Sequence, residues 1–519
     1  VVTVNPLHWL ARQLFTLEPS SATAAPPQRR YNRRSVGRRN LYAGVVDRFS
    51  ASWTTEPQSI DHLIETQLRI LRARSRERCQ ADPYASQFLA INRRNIVGPD
   101  GVRLQSQPLN RDNQIDRPAA RAIEEAWADW GRPENCDPSG IRDLVDQQET
   151  VINQMGEDGE YLGQIVTGPA AGKFQLGIRP LDPELLPVEH SPRGQTPEGN
   201  TVRFGIEYNP WGRPVAYWLR QGSHGALPTY ASSYYGQTLH RFDASQIIHI
   251  FDPLRAGQKR GLPATATALM RLRMVGAYED AALMNARLGA TKVGHYYSET
   301  GERYEGDGED LAGNLLEDLE PGETRNLPAG VRFEGFDPSY PNGEFSPFTK
   351  RALQGVSAGL DVSYPSLARD LEGVNFSSIR AAVLEDREKF KTWQRILVSK
   401  FLRRLWPLWL ERALLLELIR VGPTALDPTR LDKYERSAWV PRRWSWVDPQ
   451  KDTMSVLAQL DRGLLAPSQA SAELGRDYQK TLEQIARDQK LVDDLGVRLA
   501  PPGTQPALFA TGTQGGGAE

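Results

Sequence analysis

The chain has 519 residues, a length that sets a soft expectation of about two to four domains or one long body with ample core. Its 63 Lys and Arg balance its 64 Asp and Glu to a formal net charge of −1. That excludes a bulk electrostatic binder of nucleic acid, so any contact with DNA must rest on local patches or on geometry. The two cysteines, Cys79 and Cys136, give neither a zinc spacing nor a disulfide framework and fit assembly in a reducing cytosol.

Taken in chain order, Asn5-Pro6 reads as a helix cap and first turn, with Leu7, Leu10 and Leu14 at helical spacing. This predicts a short amphipathic arm, part of an N-terminal arm and linker over 1–39. It lacks the apolar core and small-residue cleavage site of a signal peptide. The linker turns Arg-rich at Arg29, Arg30, Arg33, Arg34, Arg38 and Arg39. It is either a solvated tail or an arm that touches nucleic acid or a partner protein. Helices are predicted over 58–80, 118–130 and 140–155. After Gly156 the period changes to that of strands, at 160–166, 174–179, 202–208, 214–219 and 246–251, separated by turns such as Asn209-Pro210-Trp211-Gly212.

A long helix is predicted from Leu262 to Leu288, about 40 Å at ~1.5 Å per residue. Its apolar positions are small or flexible (Ala264, Ala266, Ala277, Ala281, Ala282 and Ala286, with Met270, Met274 and Met284), which suits close packing against a neighbour. Residues 298–325 are sharply acidic. Beyond them Phe376, Ile379, Val383, Phe390, Trp393, Leu397, Phe401 and Leu405 form the best amphipathic pattern in the chain, with a kink or break expected at Pro407. The greasiest run, Ile396 to Ile419, carries Lys400, Arg403, Arg404, Glu411, Arg412 and Glu417, so no membrane span is expected. Short helices are predicted over 448–496, and the Gly- and Pro-rich end, 497–519, reads as a disordered tail. The tryptophans at 393, 406, 409, 439, 444 and 446 offer apolar surface for oligomerisation or for an ordinary core.

Gly355-Val356-Ser357-Ala358-Gly359 fits the nucleophile elbow G-x-S-x-G. All seven histidines precede Ser357, though, and the preceding residues read as helix, so the hydrolase order of Ser, acid and His is absent. Gly168 to Lys173 looks like a phosphate-binding loop but is one residue short and is followed by Phe174 where Ser or Thr should hold magnesium. A turn between strands accounts for it better, and any ATP-driven motor must be another protein. No metal site and no cofactor are expected.

Three stretches together resemble the lambda-type family of tailed-bacteriophage portal proteins. The first is Leu71-Arg72-Ala73-Arg74-Ser75-Arg76 with Asp82-Pro83-Tyr84-Ala85 and Asn95-Ile96-Val97-Gly98. The second is His249-Ile250-Phe251 leading to Arg255-Ala256-Gly257-Gln258-Lys259-Arg260-Gly261. The third is Gly373-Val374-Asn375-Phe376-Ser377-Ser378-Ile379-Arg380. Their order and spacing over 40–420 make the likeness specific.

The resemblance implies an α+β portal fold assembled as a ring, usually of twelve copies in the virion, around a central channel. On this chain it implies a wing over 40–260, a stem helix over 261–288, a clip over 289–344, a second stem helix over 345–360 and a tunnel loop over 361–375. A spine helix and the rest of the wing would fill 376–449, and a crown 450–496. It implies DNA packaging and ejection at one capsid vertex, with double-stranded DNA, the terminase, head–tail connector or adaptor proteins and the major capsid protein as partners, and assembly in the host cytoplasm. By position, Lys350, Arg351, Arg369, Asn375 and Arg380 are the expected channel residues, and Glu305, Asp307, Glu309 and Asp310 the expected docking residues of the clip. A structural adaptor of a phage-like particle is the main rival reading, and an esterase acting through Ser357 the second.

Overall fold

The computed structural model describes residues 57–220, 238–290, 345–372, 375–444, 449–474 and 478–495, with short pieces at 294–298, 308–309, 315–316 and 329–335. The chain divides into residues 1–58 and residues 59–519, and the elements below belong to the second unit. The expected arm and tail, Glu305, Asp307 and Asp310 lie outside the described residues.

Helix α1 (Ile60–Ala81) is capped by Ser59, whose side chain accepts from the His62 N–H. It buries Ile60, Ile64, Leu68, Arg72, Ser75 and Cys79, a stripe at three- and four-residue spacing that carries polar members. Asp82 then caps α2 (Pro83–Asn92), with Pro83 in its first turn. Strand β1 (Arg103–Ser106) precedes α3 (Arg117–Trp130) and α4 (Leu144–Glu157), which opens on a capping box between Asp143 and Asp146.

Two antiparallel sheets follow. Strands β2 (Glu160–Thr167), β3 (Leu176–Leu181) and β8 (Ile247–Phe251) form one, in the order β3-β2-β8. Strands β4 (Thr201–Arg203), β5 (Ile206–Tyr208), β6 (Pro214–Arg220) and β7 (Leu239–Asp243) form the other, in that order. The run expected as one strand over 202–208 is therefore a hairpin. Phe204 (φ +54°) and Gly205 (φ +77°) reverse it, and a continuous strand would need neither. The phosphate-loop look-alike is a 3₁₀ turn, Pro169–Ala171, between β2 and β3, and Lys173 donates to Asp129 at 2.6 Å.

Helix α5 (Leu269–Ala290) starts seven residues later than expected. Residues 262–268 are turns instead, because the Ala264 N–H donates to the Gly156 carbonyl at 3.1 Å and Ser75 bonds Thr265 at 2.7 Å, pulling this stretch onto α1 and α4. Strands β9 (Gly294–Ser298) and β10 (Val331–Gly335) pair antiparallel. Helix α6 (Phe345–Leu360) has the expected bounds, and a short helix α7 (Tyr364–Ala368) sits inside the expected loop.

Helix α8 (Phe376–Ile396) runs through a π turn (Leu397–Leu402) into α9 (Arg403–Leu415), which continues past Pro407. Of the kink or break expected at Pro407, a break does not occur; the irregularity lies upstream, in the π turn. Arg403, whose carbonyl Pro407 cannot satisfy, is the residue where the widened ladder ends, its own N–H donating to the Val398 carbonyl. Trp406, Trp409, Leu410, Ala413 and Leu414 are buried on either side, and burial at about 1.5–3 kcal/mol per large side chain outweighs the ~3 kcal/mol cost of an interior proline. Strand β11 (Ser437–Val440) pairs with β1, and α10 (Pro449–Asp461), α11 (Pro467–Glu473) and α12 (Tyr478–Asp494) close the described chain.

Trp406, Trp409 and Trp439 settle into the core with Trp127 and Trp130, while Trp446 lies outside the described residues. Trp127 lies 4.7 Å from Trp130, 5.0 Å from Trp409 and 5.6 Å from Trp439, ring centre to ring centre, and Trp406 lies 5.5 Å from Trp409. The surface of these five is spent inside one chain, so it gives no support to oligomerisation.

Candidate functional site

Residues from two of the three stretches that carry the family likeness, Arg72, His249, Arg260 and Gly261, come together around one buried carboxylate. Gly159, at φ +85°, and Gly261 let two backbone segments touch: a Cβ on Gly159 would fall 2.2 Å from the Leu262 carbonyl carbon, and one on Gly261 would fall 1.9 Å from the Gly159 oxygen. This approach puts Glu160 beside Arg260, both fully buried. Glu160 accepts from the Arg260 Nε at 2.9 and 3.0 Å, from Arg72 at 2.9 Å and from the Gly261 N–H at 3.0 Å.

Arg260 also donates to the Leu186 and Phe204 carbonyls, each at 3.0 Å. Arg72 reaches Glu184 at 2.7 Å, and Arg76 bridges Asp158 at 2.6 Å and Asp182 at 2.7 Å. Burial pushes the His249 imidazole below its ordinary pKa, so the neutral ring must donate its Nε2–H to Glu160 at 3.0 Å. Burial alone would raise the Glu160 carboxyl; Arg260, His249 and Arg72 together hold it well below the usual range. Arginines and carboxylates in this cluster face one another, so it braces α1, β2, β8 and the lead-in to α5 rather than presenting a reactive group.

A second constellation lies where α5, α6 and α8 meet. Gly359 of α6 sits 3.2 Å (ideal Cβ) from the Ala268 side chain, and Thr267 donates to the Gly359 carbonyl at 2.6 Å. The G-x-S-x-G run is thus a helix interior packed close against the start of α5. Ser357 is buried and donates to the Leu353 carbonyl at 2.9 Å, as a helical serine does.

After α6 the chain turns through Asp361 (φ +54°) into α7. Asp386 of α8 accepts from the Ser363 N–H at 2.8 Å, the Ser363 hydroxyl at 2.6 Å and the Ser366 hydroxyl at 3.1 Å. Lys389 donates to the Leu360 and Asp361 carbonyls at 2.6 and 2.7 Å, and burial pushes its ammonium down to about 8.

The expected channel residues are spread over this region. Lys350 pairs with Asp370 at 3.2 Å and lies over the Tyr364 ring. Tyr364 donates to Asp370 at 2.8 Å. Arg351 bonds Gln354 within its own helix at 3.0 Å, and Arg369, at φ +55°, donates to Gln87 at 3.2 Å. Asn375 caps α8, accepting from the Ser378 N–H at 2.8 Å, and Arg380 lies half-buried one turn in. Of the clip residues, Glu309 lies in a two-residue strand paired with Leu315.

Sequence reasoning missed Asp386 and Lys389. Their signal was two charged residues, three apart, on the side of an amphipathic helix that otherwise faces the core.

Helix α5 has two faces. Leu269, Leu272, Val275 and Ala282 are buried. Met270, Met274, Ala277, Ala281 and Met284 are exposed, at alternating spacings of four and three residues. That is the repeat of a helix–helix seam, turned to solvent.

The family model described as phage portal protein, lambda family, matches residues 47–394. The chain belongs to this family. The probable portal protein of Halomonas phage phiHAP-1 is 31% identical to it over 481 residues, covering 91% of this chain and 90% of the relative. Portal protein B of Escherichia phage lambda is 22% identical over 502 residues, covering 89% and 90%. A solved chain from the neck of an empty gene transfer agent particle aligns with 82% of this portal chain and 97% of its own length, at TM-score 0.42 and 16% identity. The match spans both constellations, since Arg72, Glu160, His249, Arg260, Asp386 and Lys389 all fall within 47–394.

Proposed function

We propose that twelve copies of this portal chain close into a ring at one capsid vertex and that the hole through the ring passes double-stranded DNA during packaging and ejection. The observation that carries this reading is the unpartnered seam on α5. A methionine- and alanine-lined stripe of this repeat is complementary to another helix surface, and head-to-tail contacts that close give a ring. On this reading α5 and α6 are stem helices, residues 361–375 the tunnel loop, 289–344 the clip, 40–260 and 376–449 the wing, and 450–496 the crown.

The charges suit a channel that must let DNA slide. Several free lysines and arginines would hold phosphate with salt-dependent strength and stall translocation. Here Lys350 is engaged by Asp370 and Arg369 by Gln87, so their grip is weakened while they remain near the duplex with Arg351, Asn375 and Arg380. The acidic clip, with Glu305, Asp307, Glu309 and Asp310, is the docking rim for the terminase and then for head–tail connector proteins, since complementary charge speeds and orients encounter. Contact with the major capsid protein falls to the wing, and assembly to the host cytoplasm.

Electron microscopy of the purified protein tests this. Rings with a central hole are expected for the native chain. They are also expected when the four clip carboxylates are changed together to Asn and Gln, a variant that should fail to retain the motor on the same grids. A stable single-copy particle without a passage would overturn the reading.

A further inference from the structure

The segment between α6 and α8 is held in two unlike ways. Its root, Leu360 to Ala368, hangs from α8 by buried groups. Asp386, 8% exposed, takes three hydrogen bonds from Ser363 and Ser366. Lys389, with 11% of its side chain exposed, donates to the last carbonyl of α6 and to the next one, and its ammonium lies 4.9 Å from the Phe88 ring centre. Val362 and Leu367 are buried beneath the same stretch.

The tip is different. Arg369 to Glu372 is held by the Lys350–Asp370 pair, whose side chains are 40% and 26% exposed, by the Tyr364 hydroxyl and by an exposed Arg369–Gln87 bond. Leu371 is 63% exposed. Exposed pairs of this kind add little, whereas hydrogen bonds to buried charged groups are among the stronger ones.

We propose that Asp386 and Lys389 are positioning residues that clamp the root of this loop to α8, so that the loop's freedom begins at Arg369 and only the tip yields. This rests on the reading of 361–375 as the loop that narrows the channel. The clamp sets where the constriction stands, because the root cannot slide along the helix. The tip, released when the Lys350–Asp370 pair opens, can give way as a duplex passes. Both anchors stand on one helix, within a turn of each other, so a shift of α8 carries the whole root with it.

Hydrogen exchange of the assembled full-length ring, read separately for peptides covering 360–368 and 369–376, tests the clamp. Lys389→Met and Asp386→Ala should each speed exchange in the root by about tenfold or more, the loss expected for hydrogen bonds to a charged group. Lys389→Arg, which keeps donors for both carbonyls, should restore protection. Asp370→Asn should speed exchange in the tip alone. Root exchange within twofold of the native ring in Lys389→Met overturns the proposal, and so does equal loosening of root and tip in Asp370→Asn. Should Asp386→Ala fail to assemble, Lys389→Met and Lys389→Arg still decide it. DNA filling of particles built with Lys389→Met separates the two claims: a loosened root with normal filling leaves the clamp standing and removes the loop from the channel.

Discussion

The cluster around Glu160, whose Arg260 lies ten residues before Met270, and the outer face of α5 are opposite solutions. In the first, charge is buried and matched inside one chain: Arg72, Arg76 and Arg260 against Asp158, Glu160, Asp182 and Glu184. In the second, apolar surface is left outside: Met270, Met274 and Met284 are 63%, 65% and 56% exposed. A charged group can be satisfied locally only where the backbone brings its partners to it, which the contact of Gly159 with the 261–262 segment does. A helix stripe has no such route within its own backbone and is covered only when another surface packs on it. The first region is satisfied within one copy, while the second leaves large apolar side chains exposed.

The comparison breaks most visibly at Arg260. Arg260→Met would leave Glu160 short of its principal partner and the Leu186 and Phe204 carbonyls without theirs. Removing one side of a buried pair costs about 3–5 kcal/mol, so denaturant unfolding of the variant should show a loss of that size. A loss below about 1 kcal/mol would mean that Arg72 and His249 alone satisfy Glu160.

The complementary change falls on α5. Met274→Asp with Met284→Asp alters two side chains that touch solvent in the single chain. Its unfolding should stay within about 0.5 kcal/mol of native, as surface changes usually do, while ring closure is lost and light scattering reports monomers or short arcs. Intact rings in this variant would place the subunit contact elsewhere.

How much of this was readable beforehand divides along the same line. Helices α1 and α3 were placed to within two residues because their apolar spacing and caps are local properties, whereas the bounds of α6 came from the family resemblance. The start of α5 was missed because the turns over 262–268 depend on contacts with Gly156 and Ser75, more than a hundred residues away. At Pro407 the helix does not end, because local propensity is overruled by the tryptophan core around it. The arginines of the family stretches were visible as motif, but that Arg72, His249 and Arg260 converge on Glu160 depends on strand pairing that no local pattern shows. Glu160 was read only as the first residue of a strand.

The smallest expected effect lies at the edge of the buried cluster and sharpens the contrast within it. Glu157, the last residue of α4, is half-buried, and unlike Glu160 it is not held low. Burial, with Asp158 and Asp182 nearby and only Arg76 opposing, pushes its carboxyl up to about 7. The folded state therefore keeps a proton that the unfolded chain gives up from about pH 4.5. Stability from this residue is full below that pH, falls as pH rises through the window to about 7, and is lost above it. Glu157→Gln removes the titration. The melting temperature of the variant minus that of the native chain should be near zero at pH 4.5 and climb to a plateau above pH 7. The gain should stay below about 1 kcal/mol, because a half-exposed group is screened by solvent. A difference that is flat with pH would mean the carboxylate is already compensated in the folded chain, as Glu160 is, and the charge cluster would then extend one residue further toward solvent than its hydrogen bonds indicate.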